Sequence, residues 1–222
     1  VKKVGRTLVG AATTIGLALV ATGCGNNVIG ADGPQPGLAA QVEDSEISLD
    51  ELSSVVDGLC ALQAADPSAA TTSRAYAQSQ ILQAWVGSLV DAEFAEDQGL
   101  DVEPQNAGLE LAPGWDDVDE DDRDSLREYV EAFVYSSAVQ EAAGEDEVPD
   151  PADYDITINP RFDVMLEDGT FVPAGEQLSV PVSGEAAVDT EAPTPDMLAD
   201  LPDDELCGKR PEPQPTSPIP IG

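Results

Sequence analysis

A chain of 222 residues is long enough for one modest domain with a leader and tails, and 41% hydrophobic residues permit a packed core although only 5% are aromatic. A formal charge of −35, from 44 acidic and nine basic residues, disfavours nucleic acid and anionic lipid as partners. Histidine is absent and no lysine stands between Lys3 and Lys209, which removes histidine-based nucleophiles, histidine metal sites and imidazole switches and leaves lysine chemistry remote.

Residues 1–23 are organised as an export signal: Lys2, Lys3 and Arg6, an apolar run from Leu8 to Val20, then Ala21-Thr22-Gly23-Cys24. The run contains Thr13, Thr14 and two glycines and is short for a membrane span. Small residues before a cysteine resemble a bacterial lipobox, so cleavage is expected to leave Cys24 as the lipid attachment point on the extracytoplasmic face of the cell membrane. Ala21 stands where leucine is the commoner residue, and an ordinary secretory signal cleaved nearby or a short membrane anchor is the alternative. Because the leader holds three of the nine basic residues and no acid, the remainder carries six basic against 44 acidic residues, a balance of −38. Residues 24–37, rich in Gly, Asn, Asp and Pro, read as a flexible tether.

Leu38 to Val42 predicts a short strand, closed by the turn Glu43-Asp44-Ser45. Ser48 followed by Glu51 is a capping box, with Ile47 and Leu52 spaced as a hydrophobic staple. Leu49, Leu52, Val55, Val56, Leu59 and Leu62 then form one helical face, and the loop containing Asp66-Pro67 ends this first helix. A second helix is predicted over 73–98, with a wide stripe of Leu82, Trp85, Val86, Leu89, Val90 and Phe94 that implies packing on two sides. Gly99 is its expected stop. Trp85 reads as core, with the lining of a binding groove as the alternative.

The acid block from Asp116 to Asp122 places Asp117, Asp119, Asp121 and Glu128 at positions 1, 3, 5 and 12 of a calcium loop. Position 6 is Asp122 where the sharp turn needs glycine, so the block reads instead as acids at the positive end of a third helix, and no metal is expected. That helix is predicted over 122–143, with Leu126, Tyr129, Val130, Phe133 and Val134 inward and Gly144 as its stop. Tyr154, Ile156 and Ile158 alternate as a half-buried strand interrupted at Pro160, and Phe162, Val164 and Leu166 continue the alternation. Glu167-Asp168-Gly169-Thr170 is a tight turn, and Leu178, Val180 and Val182 alternate once more. Residues 184–222 read as an acidic, proline-rich tail, disordered over 211–222. Export to an oxidising compartment makes Cys60 and Cys207 a disulfide that pins this tail to the first helix. No C-x-x-C and no basic residue near Cys60 supports a redox pair.

The order of these pieces is similar to that of actinobacterial lipoproteins with a SurA-like N-terminal domain, the helical chaperone module of the SurA and trigger-factor group. The resemblance covers residues 38–183 and rests most specifically on Ile156-Thr157-Ile158-Asn159-Pro160-Arg161-Phe162 with Leu178-Ser179-Val180-Pro181-Val182. It implies a mainly α fold with a small β element, three main helices closed by short N- and C-terminal strands. The parvulin domain that follows this module in full SurA-type proteins has no room between Gly144 and Asp153, so isomerase activity is not implied. The expectation is a non-enzymatic, cofactor-free holdase that binds unfolded or exported polypeptides without ATP, with Trp85, Leu89 and Phe133 as its client groove. The alternative is an envelope lipoprotein that binds one dedicated protein partner through its acidic surface.

Overall fold

The computed structural model describes residues 36–103, 106–144, 148–162, 164–167, 169–173 and 191–210. The leader with Cys24, the Leu178 to Val182 alternation and residues 211–222 lie outside the described residues.

β1 (Leu38–Val42) and β2 (Ser45–Ser48) form an antiparallel hairpin in which Val42 faces Ser45 across the two-residue turn Glu43-Asp44. β2 is a strand where the sequence suggested only a turn and a staple. No glycine occupies the turn, and Glu43 itself takes the left-handed conformation, φ +48°, at a cost of roughly 1–2 kcal/mol. Three hydrogen bonds hold it there: its N–H donates to the Asp155 carbonyl at 2.9 Å, its Oε1 accepts from the Asp155 N–H at 2.7 Å, and its carbonyl accepts from Gln41 Nε2 at 2.9 Å.

α1 (Leu49–Ala65) starts from the predicted capping box. The Glu51 N–H donates to Ser48 Oγ at 3.1 Å and the Ser48 N–H donates to Glu51 Oε2 at 2.9 Å. Ile47 and Leu52 are both fully buried in the same core. On the face turned to the third helix sits Gly58, where a Cβ would lie 2.8 Å from Leu126 Cδ2, so the missing side chain sets how closely the two helices approach.

β3 (Thr72–Ser73) leads into α2 (Arg74–Gln98), capped by Ser73 Oγ accepting from the Tyr76 N–H at 3.2 Å. Gly99 ends it at φ +63°, as the sequence predicts. α2 is buried on Ile81, Leu82, Trp85, Val86 and Val90, and also on Ser79, Ser88 and Asp91. These positions run around most of the helix, so α2 is the central rod, packed against α1, β1 and the third helix. Packing on two sides is therefore what the wide apolar stripe encodes.

The connection from 100 to 122 contains two short 3₁₀ turns, Leu109–Leu111 and Trp115–Asp117. Gly114 between them has φ +86°, and a Cβ there would meet the Ala65 Cβ at the end of α1. Gly114→Ala is expected to cost about 2–4 kcal/mol, from left-handed backbone strain plus overpacking. A urea titration followed by tryptophan fluorescence checks it: the midpoint falls with an unchanged slope.

α3 (Arg123–Ala143) buries Leu126, Tyr129, Ser136 and Val139, with Val130 and Ala132 partly covered. Phe133 corrects the predicted stripe, for it is 51% exposed. The buried line advances from Tyr129 through Ala132 to Ser136 and Val139, which turns position 133 toward solvent.

β4 (Ile156–Ile158) pairs antiparallel with β1 on the side opposite β2, giving the order β2-β1-β4. The alternation does not continue past Pro160 in the same sheet, because Pro160–Phe162 is a 3₁₀ turn. β5 (Val164–Glu167) and β6 (Thr170–Pro173) form a separate hairpin, with Glu167 opposite Thr170 as the tight-turn signal predicts. The described part of the tail is structured: α4 (Pro195–Asp200) is capped by Thr194, and β7 (Leu206–Cys207) pairs antiparallel with β3. The fold is mainly helical with small strands, and its main core joins α1, α2 and α3 to β1, with Trp115, Phe162 and Cys207 included.

Candidate functional site

The three residues expected to line a groove do not come together on one surface. Trp85 is 3% exposed and meets Tyr129 edge to face, ring centroids 5.5 Å apart at 68°. Burying two aromatic rings in that geometry is a packing contribution, and it lifts the Tyr129 hydroxyl above its ordinary range by desolvation. Leu89 is partly buried against the same core. Phe133 is exposed on α3, so only this member of the three is offered to a partner.

The calcium-loop spacing is not a loop. Asp117 ends a 3₁₀ turn, α3 begins at Arg123, and Glu128 is already inside it. Partial desolvation and the nearby Glu51 carboxylate raise the Glu128 carboxyl above its ordinary range. Among the described residues no group of three cysteine or carboxylate side chains is placed to hold a metal ion.

Trp115 is instead clamped by arginine. Arg123 and Arg127, four apart on α3, place their guanidinium carbons 5.5 and 5.6 Å from its ring centroid. Arg123 also donates to the Val118 carbonyl at 3.0 Å, and Arg127 pairs with Asp124 at 2.9 Å and Glu110 at 3.3 Å. The hydrogen bond to Asp124 raises the Arg127 pKa further, with Glu110 adding to it, against an opposing desolvation. The clamp was readable in principle: Arg123 and Arg127 sit one helical turn apart beside a loop tryptophan.

The other arginines are engaged in the same way. Arg74 pairs with Asp57, joining α2 to α1. Arg210 binds Asp203 at 2.6 Å and donates to the carbonyls of Leu198, Ala199 and Leu201. Arg161 lies over the buried Phe162 ring at 5.3 Å. Among the described residues Lys209 and Arg210 are the exposed basic residues, and carboxylates dominate the rest of the charged surface. Their field shows at Tyr154, whose hydroxyl is raised by burial and then by Asp97, Asp153, Glu93 and Asp91.

Asp91 is a buried carboxylate that the sequence reading missed. It is 5% exposed and accepts from Ser136 Oγ and, at 2.8 Å, from Gln140 Nε2. Among the described residues no ammonium or guanidinium pairs with it. Two neutral donors on α3 therefore satisfy a charge on α2, an arrangement that fixes how the two helices meet. A serine on the predicted inner face of α3 was the one available signal.

Cys60 on α1 and Cys207 on β7 form a disulfide with Cα atoms 4.5 Å apart, inside the range such bridges require. Cys207 is fully buried and belongs to the main core. Among the described residues no helix is long and apolar enough to cross a membrane. Compared with protein-family models, with curated proteins and with solved structures, the chain has no match.

Proposed function

We propose that the protein is a lipid-anchored, extracytoplasmic holdase of SurA-like build, which binds unfolded or newly exported polypeptides without ATP and performs no covalent chemistry on them. The observation that carries this reading is the closure of the three-helix module. The strand that precedes α1 pairs with the strand that follows α3, and Asn159-Pro160-Arg161-Phe162 latches the pair. Of the residues on which the resemblance rests, Ile156 to Phe162 take part in this closure, and Leu178 to Val182 lie outside the described residues. Cys24 supplies the membrane anchor in this reading, keeping the module where exported chains emerge.

Phe133 is the contact residue we assign to clients, an exposed aromatic ring on α3. The test is suppression of aggregation of a thermally unfolding protein, beside an inert acidic control and at low and high salt. Suppression that exceeds the control and survives salt is expected, and Phe133→Asp weakens client binding about five- to tenfold, as loss of one aromatic contact does. Suppression equal to the control overturns the holdase reading; full suppression by Phe133→Asp overturns only the role of Phe133.

A second reading follows from the inward-turned arginines. A surface dominated by carboxylates fits one dedicated basic partner protein, recruited with salt-dependent kinetics. A pulldown separates the two: many unfolded exported chains for the first, one stoichiometric partner for the second.

A further inference from the structure

Among the described residues β3 has one strand partner, β7, with Thr72 opposite Cys207 and Ser73 opposite Leu206. β7 comes from far along the chain, 147 positions from Cys60 to Cys207, and its docking is more than the covalent bond. Leu206 is 8% exposed and Cys207 is fully buried. β7 packs against α1 and α2 as well as β3. The Lys209 carbonyl accepts from Thr71 Oγ1, and a Cβ on Gly208 would lie 3.5 Å from Thr71 Cα, so backbone meets backbone closely there. Beneath this contact, Gln63 Oε1 is buried with no hydrogen-bond partner. On the outer side Arg210 folds back onto the carbonyls of Leu198, Ala199 and Leu201. Residues 198–210 thus close on themselves and present one short extended piece inward. Main-chain pairing at a strand edge, with alternate side chains seated in pockets, is how sheet-edge peptide sites work.

We propose that the β3 edge, with the α1 and α2 surface beneath it, is a docking site for an extended polypeptide segment bearing a leucine-sized apolar side chain, and that β7 occupies it in cis under the Cys60–Cys207 bond. A dithiol reductant opens the site. Its first thiolate attacks the sulfur of Cys60, the partly exposed partner, and Cys207 leaves as a thiolate that takes a proton. Its second thiol then closes the reductant's own disulfide and expels the Cys60 thiolate, so two electrons pass to the protein's disulfide. While the bond is intact, β7 is held at an effective concentration that a segment in trans cannot match. Once it is broken, the two compete. The site exists whether or not the protein is a holdase, and failure of aggregation suppression would leave it untouched.

The test uses the full chain with Cys24→Ser and Cys207→Ser, so that Cys60 is the sole thiol. The probe is a synthetic peptide of residues 200–210 whose Cys207 is activated as a mixed disulfide with 2-thiopyridine; a second peptide differs by Leu206→Asp. Attack by the Cys60 thiolate joins peptide to protein and releases pyridine-2-thione, which is followed by absorbance. The leucine peptide is expected to react about tenfold faster or more, because its side chain is buried before the chemistry and the aspartate is not, and the preference should vanish in strong denaturant. Equal rates in native buffer overturn the proposal. Hydrogen exchange on the unsubstituted chain covers a variant that fails to fold. On reduction, protection of the amides that bond across the β3–β7 pair should fall about a hundredfold while Val86 and Leu126 keep theirs, as for a locally opening unit. Uniform loss across the chain also overturns it, since β7 would then be an inseparable part of the core.

Discussion

Breaking the Cys60–Cys207 bond is expected to lower the free energy of unfolding by about 2–5 kcal/mol. The chain-entropy model sets the ceiling. A closed loop spanning 147 positions restricts the unfolded chain by roughly 5 kcal/mol, and native bridges commonly deliver somewhat less. Cys207 is also a fully buried member of the main core, so a serine hydroxyl there adds a desolvation cost of about 1–3 kcal/mol if it finds no partner. Urea titrations of oxidised wild type, reduced wild type and the Cys60→Ser, Cys207→Ser double variant check the two contributions. Reduced wild type reports release of the loop with the sulfur atoms retained; the double variant reports both. A loss below about 1 kcal/mol in reduced protein would mean that the unfolded chain keeps the tail near α1 without the bond.

Phe162→Ala is expected to cost about 3–5 kcal/mol, the range for removing a fully buried aromatic ring. The side chain is completely inaccessible, and the turn that carries it is tied to the sheet. The Asn159 N–H donates to the Ala39 carbonyl at 2.8 Å, Asn159 Nδ2 donates to the Leu38 carbonyl at 2.7 Å, and the Phe162 N–H donates to the Asn159 carbonyl at 3.0 Å. Removing the ring leaves these backbone bonds without their anchor, so the β1–β4 pairing should loosen first. Thermal unfolding with near-ultraviolet circular dichroism measures the loss, and exchange at the amides of Thr157 and Asn159, which face β1, locates it. Arg161→Gln is the control, because it removes only a cation above the ring, worth about 0.5–1 kcal/mol at such a site.

What the sequence disclosed is what local physics governs. Ser48, Ser73 and Gly99 act within one helical turn of the groups they satisfy, so the ends of α1 and α2 could be read directly. The wide stripe on α2 announced a helix with neighbours on more than one side. On α3 the reading failed because a polar residue, Ser136, holds part of the inner face and the exposed Gln140 reaches in beside it. Ser136 and Gln140 bind Asp91, and a pattern scored on hydrophobicity passes over them and takes Phe133 instead. That error carried into the site, since the proposed groove of Trp85, Leu89 and Phe133 needed all three on one face. The tail was opaque for a different reason. β7 is two residues long and pairs with β3 across most of the chain, and no periodicity exists in so short a strand. Cys207, expected to pair with Cys60, was the signal used there, and Thr194-Pro195, a cap followed by proline at the first helical position, was a second one available.

The placement of the basic residues has a consequence for survival among proteases. Enzymes that cut after arginine or lysine must draw an extended stretch of chain into their cleft, and the described residues offer them few places to do so. Arg74, Arg123 and Arg127 lie in helices, and Arg161 lies in a 3₁₀ turn against a buried ring. No cleavable residue stands between Arg74 and Arg123, so all of α2 beyond its first residue is spared even in the unfolded chain. Lys209 and Arg210 are the exposed exceptions, but a cut after either falls beyond Cys207 and leaves β7 bonded to α1. Digestion by such enzymes is therefore slow while the helices hold and coarse once they melt.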